Sequence, residues 1–362
     1  MHRRTEARID LAAIRANFRL AARLAPQSRN IAVIKANAYG HGLLAVAEAL
    51  DELAPAYAVA ILEEAIELRE HGVSKPLLVL EGVHTPDALT EAAARGVSLM
   101  LHSPAQLDML LGAALGQFPD LWLKVDTGMH RLGFMPAEFG QALERLLSSG
   151  RLETPPVVCT HLAAADMPAN THTAQQLREF AALTGKLGLP LSIGNSAAIL
   201  AWPESHADWN RPGYMLYGNS PLAEAVAAAG ELRPAMHFEA ELIALREVAS
   251  GERVGYGGRW RASGPSTIGT VAVGYADGYP RHAPDGTPTV VNGRIAPLAG
   301  VVSMDMITID LTGHPAAKPG DRVTLWGDGL PVGEVARHTG TIGYELLTRV
   351  TDRVPRVFEG RE

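Results

Sequence analysis

Lys35 closes a short apolar run, residues 31–35, and is followed by Ala36-Asn37-Ala38-Tyr39-Gly40-His41-Gly42, a glycine-punctuated turn into a helix. A lysine at the end of a buried strand loses hydration, so it must be paired or covalently modified. A desolvated amine with a depressed pKa can form a Schiff base, and a paired structural lysine fits the position equally well. Further on, Lys124-Val125-Asp126-Thr127-Gly128-Met129-His130-Arg131-Leu132-Gly133 sets Lys124 and Asp126 on one face by the two-residue period of a strand. His161 ends another apolar run, on the face of Cys159; alone it reads as a packed core histidine, and only a place at the mouth of a barrel favours chemistry. No His-x-x-x-His helix or carboxylate cluster accompanies it, so a metal site is not expected. Gly194-Asn195-Ser196 leads into a helix, where Ser196 suits either a phosphate or an ordinary serine N-cap, and Arg211-Pro212-Gly213-Tyr214 closes a last run.

These residues must be positioned by the elements around them. Short apolar runs at 31–35, 57–61, 77–80, 97–101, 121–125, 157–161, 191–193 and near 208–211 alternate with helical patterns at 43–53, 63–70, 86–94, 104–115, 136–147 and 174–187. Strand–helix units repeating at roughly 25 residues are the arithmetic of a (β/α)8 TIM barrel, whose chemistry sits at the C-terminal ends of the strands. No Gly-x-Gly-x-x-Gly follows an early strand, which disfavours a doubly wound sheet. From about residue 232 the runs at 238–245, 268–273, 289–291, 306–309 and 323–326 are separated by Asp277-Gly278, Asp285-Gly286, Asn292-Gly293 and Asp328-Gly329, the signals of antiparallel hairpins. Two helices are expected at 332–338 and 342–347, and the alanine cluster at 223–229 as a helix or connector. The fold class expected is α/β, an N-terminal barrel over residues 1–230 followed by a mainly antiparallel β domain over 231–362, with residues 1–12 pairing with the second domain. The loops after strands seven and eight are the usual phosphate site of this fold, making Ser196 and Gly213 a pair. A Schiff-base lysine beside a phosphate site suggests pyridoxal phosphate.

Composition narrows the function further. With 32 Lys+Arg against 39 Asp+Glu the net charge is −7, and nucleic-acid binding by phosphate neutralisation is not expected. The single cysteine, Cys159, points to a reducing compartment, no stretch approaches 18 uncharged apolar residues, and the first residues lack the apolar run and small-residue cleavage site of a secretory leader, so a cytoplasmic protein off the membrane is expected. Arg15, Arg19 and Arg23 have the spacing of a targeting helix, but Asp10 is a good N-cap and Leu11, Ile14, Phe18 and Ala21 form an apolar stripe, which favours a folded surface helix.

The segments Val33-Ile34-Lys35-Ala36-Asn37-Ala38-Tyr39-Gly40-His41-Gly42, 124–133, His161-Leu162, Gly194-Asn195-Ser196-Ala197, Arg211-Pro212-Gly213, Gly255-Tyr256-Gly257, Val273-Gly274-Tyr275-Ala276-Asp277-Gly278-Tyr279-Pro280-Arg281, Ser303-Met304-Asp305 and Gly343-Tyr344-Glu345 together resemble the alanine racemase family, in family order and over nearly the whole chain. The resemblance implies a homodimeric pyridoxal 5'-phosphate enzyme that interconverts L- and D-alanine and supplies D-alanine for peptidoglycan. It implies that Lys35 carries the cofactor and is one of two proton-transfer bases, the other being Tyr256 donated by the partner chain. His161 would stack on the cofactor ring and Arg211 would face the pyridine nitrogen. Tyr39, Asn195, Ser196, Gly213, Tyr214 and Tyr344 would complete the cofactor site, largely around the phosphate. Arg131, with Met304 and Asp305 from the partner, would bind the substrate carboxylate region, and Lys124 matches a lysine that is carbamylated in many members. Tyr214 departs from the family, where an aliphatic residue is common, and this bears on the shape of the phosphate pocket.

Racemisation removes a proton from one face of a planar carbanion and returns one to the other, so two bases are needed. A broad-specificity amino-acid racemase is the nearest alternative. The related barrel decarboxylases place a carboxylate at the ring nitrogen, where this chain has Arg211, and rely on a cysteine in the second domain, whereas Cys159 lies in the barrel half. A non-catalytic pyridoxal-phosphate-binding protein would resemble the barrel alone, without the segments around Tyr256 and Met304-Asp305.

Overall fold

The computed structural model describes residues 4–224 and 226–361; residues 1–3 of the amino-terminal segment and Ala225 of the alanine cluster lie outside the described residues. The described chain forms two compact units, one of them residues up to Ala13, Tyr39–Gly42 and everything from Pro234 on, the other Ile14–Ala38 and Leu43–Arg233.

The second of these is a barrel. Strand β1 (Glu6–Asp10) belongs to the first unit, and the barrel strands follow as β2 (Arg29–Asn30), β3 (Ala32–Val33), β4 (Tyr57–Val59), β5 (Leu77–Val79), β6 (Ser98–Leu101), β7 (Leu121–Lys124), β8 (Val157–Cys159), β9 (Leu191–Asn195) and β10 (Trp209–Arg211). All pair in parallel, in the order β2-β10-β9-β8-β7-β6-β5-β4-β3. Because β2 and β3 are pieces of one strand interrupted at Ile31, which donates to Asn210 O at 2.9 Å while Ala32 donates to Ala56 O at 3.1 Å, the ring closes on itself. Closure removes both edges of the sheet and buries a core of Val, Leu, Ile and Ala side chains.

The helices begin where the sequence supplies caps. After α1 (Leu11–Leu24) come α2 (Leu43–Ala49), α3 (Leu62–Glu70), α4 (Pro86–Ala94), α5 (Pro104–Gly112), α6 (Pro136–Leu147), α7 (Thr171–Thr184) and α8 (Ser196–Ala201). Asp10 Oδ1 accepts from Ala13 N–H at 2.9 Å, Thr85 caps α4 through Ala88 N–H, Ser103 caps α5 through Gln106 N–H, and proline opens α4, α5 and α6. Leu11, Ile14, Phe18 and Ala21 of α1 are all buried, as its stripe requires. Helices expected to reach residues 53 and 115 stop at Ala49 and Gly112.

In the other unit the 13-residue strand β11 (Met236–Val248) pairs antiparallel with β1, β14 (Ser266–Val271) and β18 (Arg322–Trp326). The ribbon β12 (Arg253–Val254) and β13 (Trp260–Arg261) stands apart, β17 (Ile307–Asp310) extends β14, and β1 also pairs in parallel with β19 (Arg356–Glu359). Strands β15 (Pro288–Val291) and β16 (Arg294–Pro297) form a two-residue hairpin on Asn292-Gly293, both with positive φ (51° and 75°), as a type I′ turn demands. Asp277-Gly278 makes no such hairpin: it ends a short turn over Tyr275–Asp277, because the Asp277 carboxylate is spent accepting Gly274 N–H at 2.9 Å. Helices α9 (Val332–His338) and α10 (Gly343–Thr348) complete the unit, and the alanine cluster runs into a 3-10 turn at Ala227–Glu231. Among the described residues no helix is long and apolar enough to cross a membrane, and no group of His, Cys, Asp and Glu side chains could hold a metal ion.

Candidate active site

Beyond Lys35 the chain does not enter a right-handed helix at once. Ala36, Asn37, Ala38 and Tyr39 all have φ between 52° and 54°, a left-handed turn built without a single glycine. This conformation costs roughly 1–2 kcal/mol per residue for L-amino acids, so the turn persists only because its surroundings impose it. Ala38 N–H donates to Ile34 O at 2.8 Å, and Asn37 Oδ1 accepts from Leu43 N–H at 2.7 Å, which also starts α2. The turn brings Lys35 to the C-terminal end of its strand with a half-buried side chain. Burial lowers its pKa, Arg131 lowers it further, and Glu81 and Glu64 oppose the shift.

The neighbouring strand ends add a concentration of positive charge. Lys124, only 8% exposed at the end of β7, has its pKa pushed down to about 8 by burial, with Arg211 and Arg131 adding to the effect and Cys159 opposing it. Its expected companion Asp126 is turned to another task. The Asp126 carboxylate accepts N–H bonds from Gly128 at 2.8 Å, Met129 at 2.9 Å and His130 at 3.1 Å. Burial alone would raise its pKa, but those amides and His130 hold it below the usual range. The loop bearing Arg131 is thereby tied down at its base, and Arg131 itself is exposed.

Arg211, at the end of β10, is buried and donates to Ser192 Oγ at 2.5 Å, Thr160 O at 2.6 Å and Ile193 O at 3.1 Å. It also donates to His161 Nδ1 at 3.4 Å, and because a guanidinium can only donate, this fixes the histidine tautomer with its proton on Nε2. Burial lowers the His161 pKa well below the ordinary value, and Arg211, Lys124, Arg131 and Lys35 all lower it further. Two arginines and two lysines therefore act on one neutral imidazole, a donor set suited to a ligand with several negative charges. Asn195 caps α8 through Ala198 N–H at 3.0 Å, and Ser196 Oγ accepts from Gly213 N–H at 2.9 Å and Met215 N–H at 3.2 Å. Ser196 and Gly213 are thus brought together, with Tyr214 buried beside them in sequence and its phenol pKa raised by burial. A primary amine, a buried arginine and a hydroxyl–amide cradle fit pyridoxal phosphate, which presents an aldehyde, a ring nitrogen and a phosphate.

The remaining candidates lie in the other unit. The Tyr39 ring is buried, its centroid 6.1 Å from that of half-buried Tyr344. Tyr256 heads a 3-10 turn and is 72% exposed, and Met304 is 53% exposed. The segment around Met304 is held by backbone bonds, Tyr275 N–H to Ser303 O and Ala276 N–H to Met304 O, both 3.0 Å. Gly274 lies so close to the Met304 carbonyl that a Cβ there would clash with it. Arg353 bridges Asp277 at 3.0 Å and Asp305 at 2.9 Å.

Several supporting residues carry no motif of their own. Gln176 of α7, fully buried, accepts from Ala163 N–H at 2.8 Å and donates to His161 O at 3.0 Å and Thr127 Oγ1 at 3.4 Å, joining the loops of His161 and Arg131. His172 Nε2 adds a bond to Gly128 O at 3.0 Å. Glu64 and Arg353 were equally silent, since an N3 glutamate and a late arginine are ordinary surface residues until the fold supplies their partners.

The chain matches the family models described as alanine racemase, N-terminal domain, over residues 9–221 and alanine racemase, C-terminal domain, over 235–358. It is 51% identical to the alanine racemase of Chromohalobacter salexigens over the full length of both chains, and 50% identical to the biosynthetic alanine racemase of Pseudomonas aeruginosa over 97% of this chain and 98% of that one. The crystal structure of the Pseudomonas aeruginosa biosynthetic enzyme superposes with a TM-score of 0.95 at 49% identity, covering 99% of this chain and 100% of the other. That of alanine racemase from Bartonella henselae, described with covalently bound pyridoxal phosphate, superposes with a TM-score of 0.90 at 30% identity, covering 98% and 99%. With both halves matched, the barrel and the β unit each reproduced and the two together paralleled along their whole length, this chain belongs to the alanine racemase family.

Proposed function

We propose that the protein interconverts L- and D-alanine by a two-base mechanism, with pyridoxal 5'-phosphate held covalently on Lys35 and each active site shared between the chains of a homodimer. The observation that carries this reading is the partly desolvated Lys35 amine set among Lys124, Arg131 and Arg211 around an uncharged His161. When bound, pyridoxal phosphate supplies an aldehyde for an amine to attack and an electron sink that acidifies the substrate α-carbon. Lys35, its pKa lowered, has the free amine needed to take or return a proton on one face of that carbon. Tyr256 of the partner subunit takes the opposite face, its exposure in a single chain leaving the phenol available to another.

Arg211 would serve as a hydrogen-bond donor at the ring nitrogen and, staying charged throughout, would not transfer a proton to it. His161, held by Arg211 in one tautomer, would pack on the ring. Ser196, Gly213, Asn195 and the phenols of Tyr39, Tyr214 and Tyr344 would hold the phosphate end. Arg131 receives the substrate carboxylate together with Met304 and Asp305 of the partner subunit. In its neutral form the Lys124 amine can add carbon dioxide as a carbamate with release of a proton, placing a negative charge near Arg131 and Arg211. The D-alanine produced would feed peptidoglycan synthesis in the cytoplasm.

Chiral analysis of L-alanine incubated with purified, cofactor-loaded protein tests this directly: D-alanine should accumulate until the two enantiomers are equal, and from D-alanine the same mixture should form. Absence of the second enantiomer would overturn it. Alanine should exceed lysine and leucine by roughly tenfold or more in kcat/KM, because a small pocket rejects added methylenes; equal values would instead indicate a broad-specificity racemase. Arg211→Glu, which offers the ring nitrogen a protonatable partner, should racemise more slowly and divert a larger share of turnover to transamination, measured as pyruvate formed per D-alanine. An unchanged ratio would remove Arg211 from this role.

A further inference from the structure

The left-handed turn after Lys35 is gripped by a carboxylate outside the proposed proton-transfer machinery. Glu64 is the third residue of α3, and its Oε2 reaches back past the N-cap Ile61 to accept from Ala60 N–H at 2.9 Å. Its other oxygen has a different task. Oε1 accepts from Ala36 N–H at 2.5 Å and lies 3.4 Å from Asn37 N. These are the first two amides after Lys35, and both residues hold φ near 53° without glycine. Successive N–H groups at the start of a helical turn have no partner within it, so a carboxylate along their axis satisfies them and favours the turn over an extended alternative.

We propose that Glu64 is the positioning residue for Lys35: through Oε1 it locks the left-handed turn and thereby sets where the lysine side chain leaves its strand. The inference rests on the reading of Lys35 as the cofactor lysine. Glu64 also lies near enough to favour the charged Lys35, opposing burial and Arg131, so it acts on the amine both in place and in charge. A glutamate serving only its own helix would need the Ala60 bond and nothing more.

The test compares Glu64→Ala and Glu64→Gln with Glu63→Gln on the exposed side of the same helix turn. In cofactor-free protein, hydrogen exchange of the segment 34–42 is followed by mass spectrometry, and competitive acylation reads Lys35 against Lys75, Lys186 and Lys318 as internal references. Glu64→Ala should raise exchange at residues 36–37 about tenfold, the loss expected of one charge-assisted bond, and shift the pH dependence of Lys35 acylation downward, with Glu63→Gln unchanged. In the holoenzyme kcat should fall about tenfold while KM for alanine stays within about twofold, since the carboxylate-binding residues are untouched. Glu64→Gln keeps the shape and one acceptor oxygen, and should show the same changes at smaller amplitude if the alanine variant does not fold. Folded variants whose 36–37 exchange or whose Lys35 acylation matches the wild type would reduce Glu64 to a helix cap and overturn the proposal. A borohydride tag on another lysine, with exchange and acylation still responding, would instead remove the reading of Lys35 and leave Glu64 as the anchor of the turn.

Discussion

Lys35→Ala protein, loaded with pyridoxal phosphate and treated with borohydride, should carry no tag on any lysine, and its alanine racemisation should fall by roughly 10⁴-fold or more, because one residue is both anchor and base. The chain makes this easy to read. It has only five lysines, at 35, 75, 124, 186 and 318, each on a tryptic peptide of its own, so each can be followed separately. Lys124 is the instructive competitor: it is more buried than Lys35, its pKa is pushed down to about 8, and like Lys35 it faces Arg131. A tag that moves to Lys124 in the variant would mean that the pocket captures the cofactor by charge and leaves the choice of amine open. A tag on Lys124 in the wild type would refute the assignment of Lys35. In the expected case the wild type is tagged at Lys35 alone and exogenous methylamine restores part of the attachment without restoring racemisation, since it supplies an amine but no positioned base.

Much of this frame was legible in the residues. The caps at Thr85 and Ser103 with their following prolines, the stripe of Leu11, Ile14, Phe18 and Ala21, and the Asn292-Gly293 hairpin are local signals, and each appears where local chemistry puts it. The backbone after Lys35 was not legible, because four non-glycine residues in the left-handed region contradict local preference and are imposed by Glu64 from another helix and by Asn37 on Leu43. The same limit explains Asp126, which period two sets beside Lys124 but which backbone amides two to four residues on claim for themselves. Asp277-Gly278 looked like a hairpin for want of any sign that its carboxylate caps Gly274 and meets Arg353. Residues whose role is set by distant partners, Gln176 foremost, announce nothing in sequence.

Tyr256→Phe should lower racemisation by roughly 10²–10⁴-fold, the usual worth of a positioned acid–base group, while preserving the ring that fills the space. The loss should be one-sided. With Lys35 intact, the enantiomer whose α-proton faces the lysine should still exchange that proton with solvent deuterium, and the other should not. Lys35→Ala removes the opposite half and the attachment with it. Equal exchange of both enantiomers in Tyr256→Phe would mean that a single base serves both faces and that Tyr256 only shapes the pocket.

Hybrid dimers of Lys35→Ala and Tyr256→Phe test the shared two-base site most directly. Each variant alone should be nearly inactive. If a site takes Lys35 from one chain and Tyr256 from the other, two-fold symmetry places both lesions of a hybrid in one site and leaves its other site intact. Random reassortment makes about half the dimers hybrids with half their sites intact, so D-alanine formation should return to roughly a quarter of the wild-type rate at most. If both residues come from one chain, every hybrid site carries a lesion, and mixtures in which native mass spectrometry shows hybrids but chiral analysis shows no recovered racemisation would contradict the account.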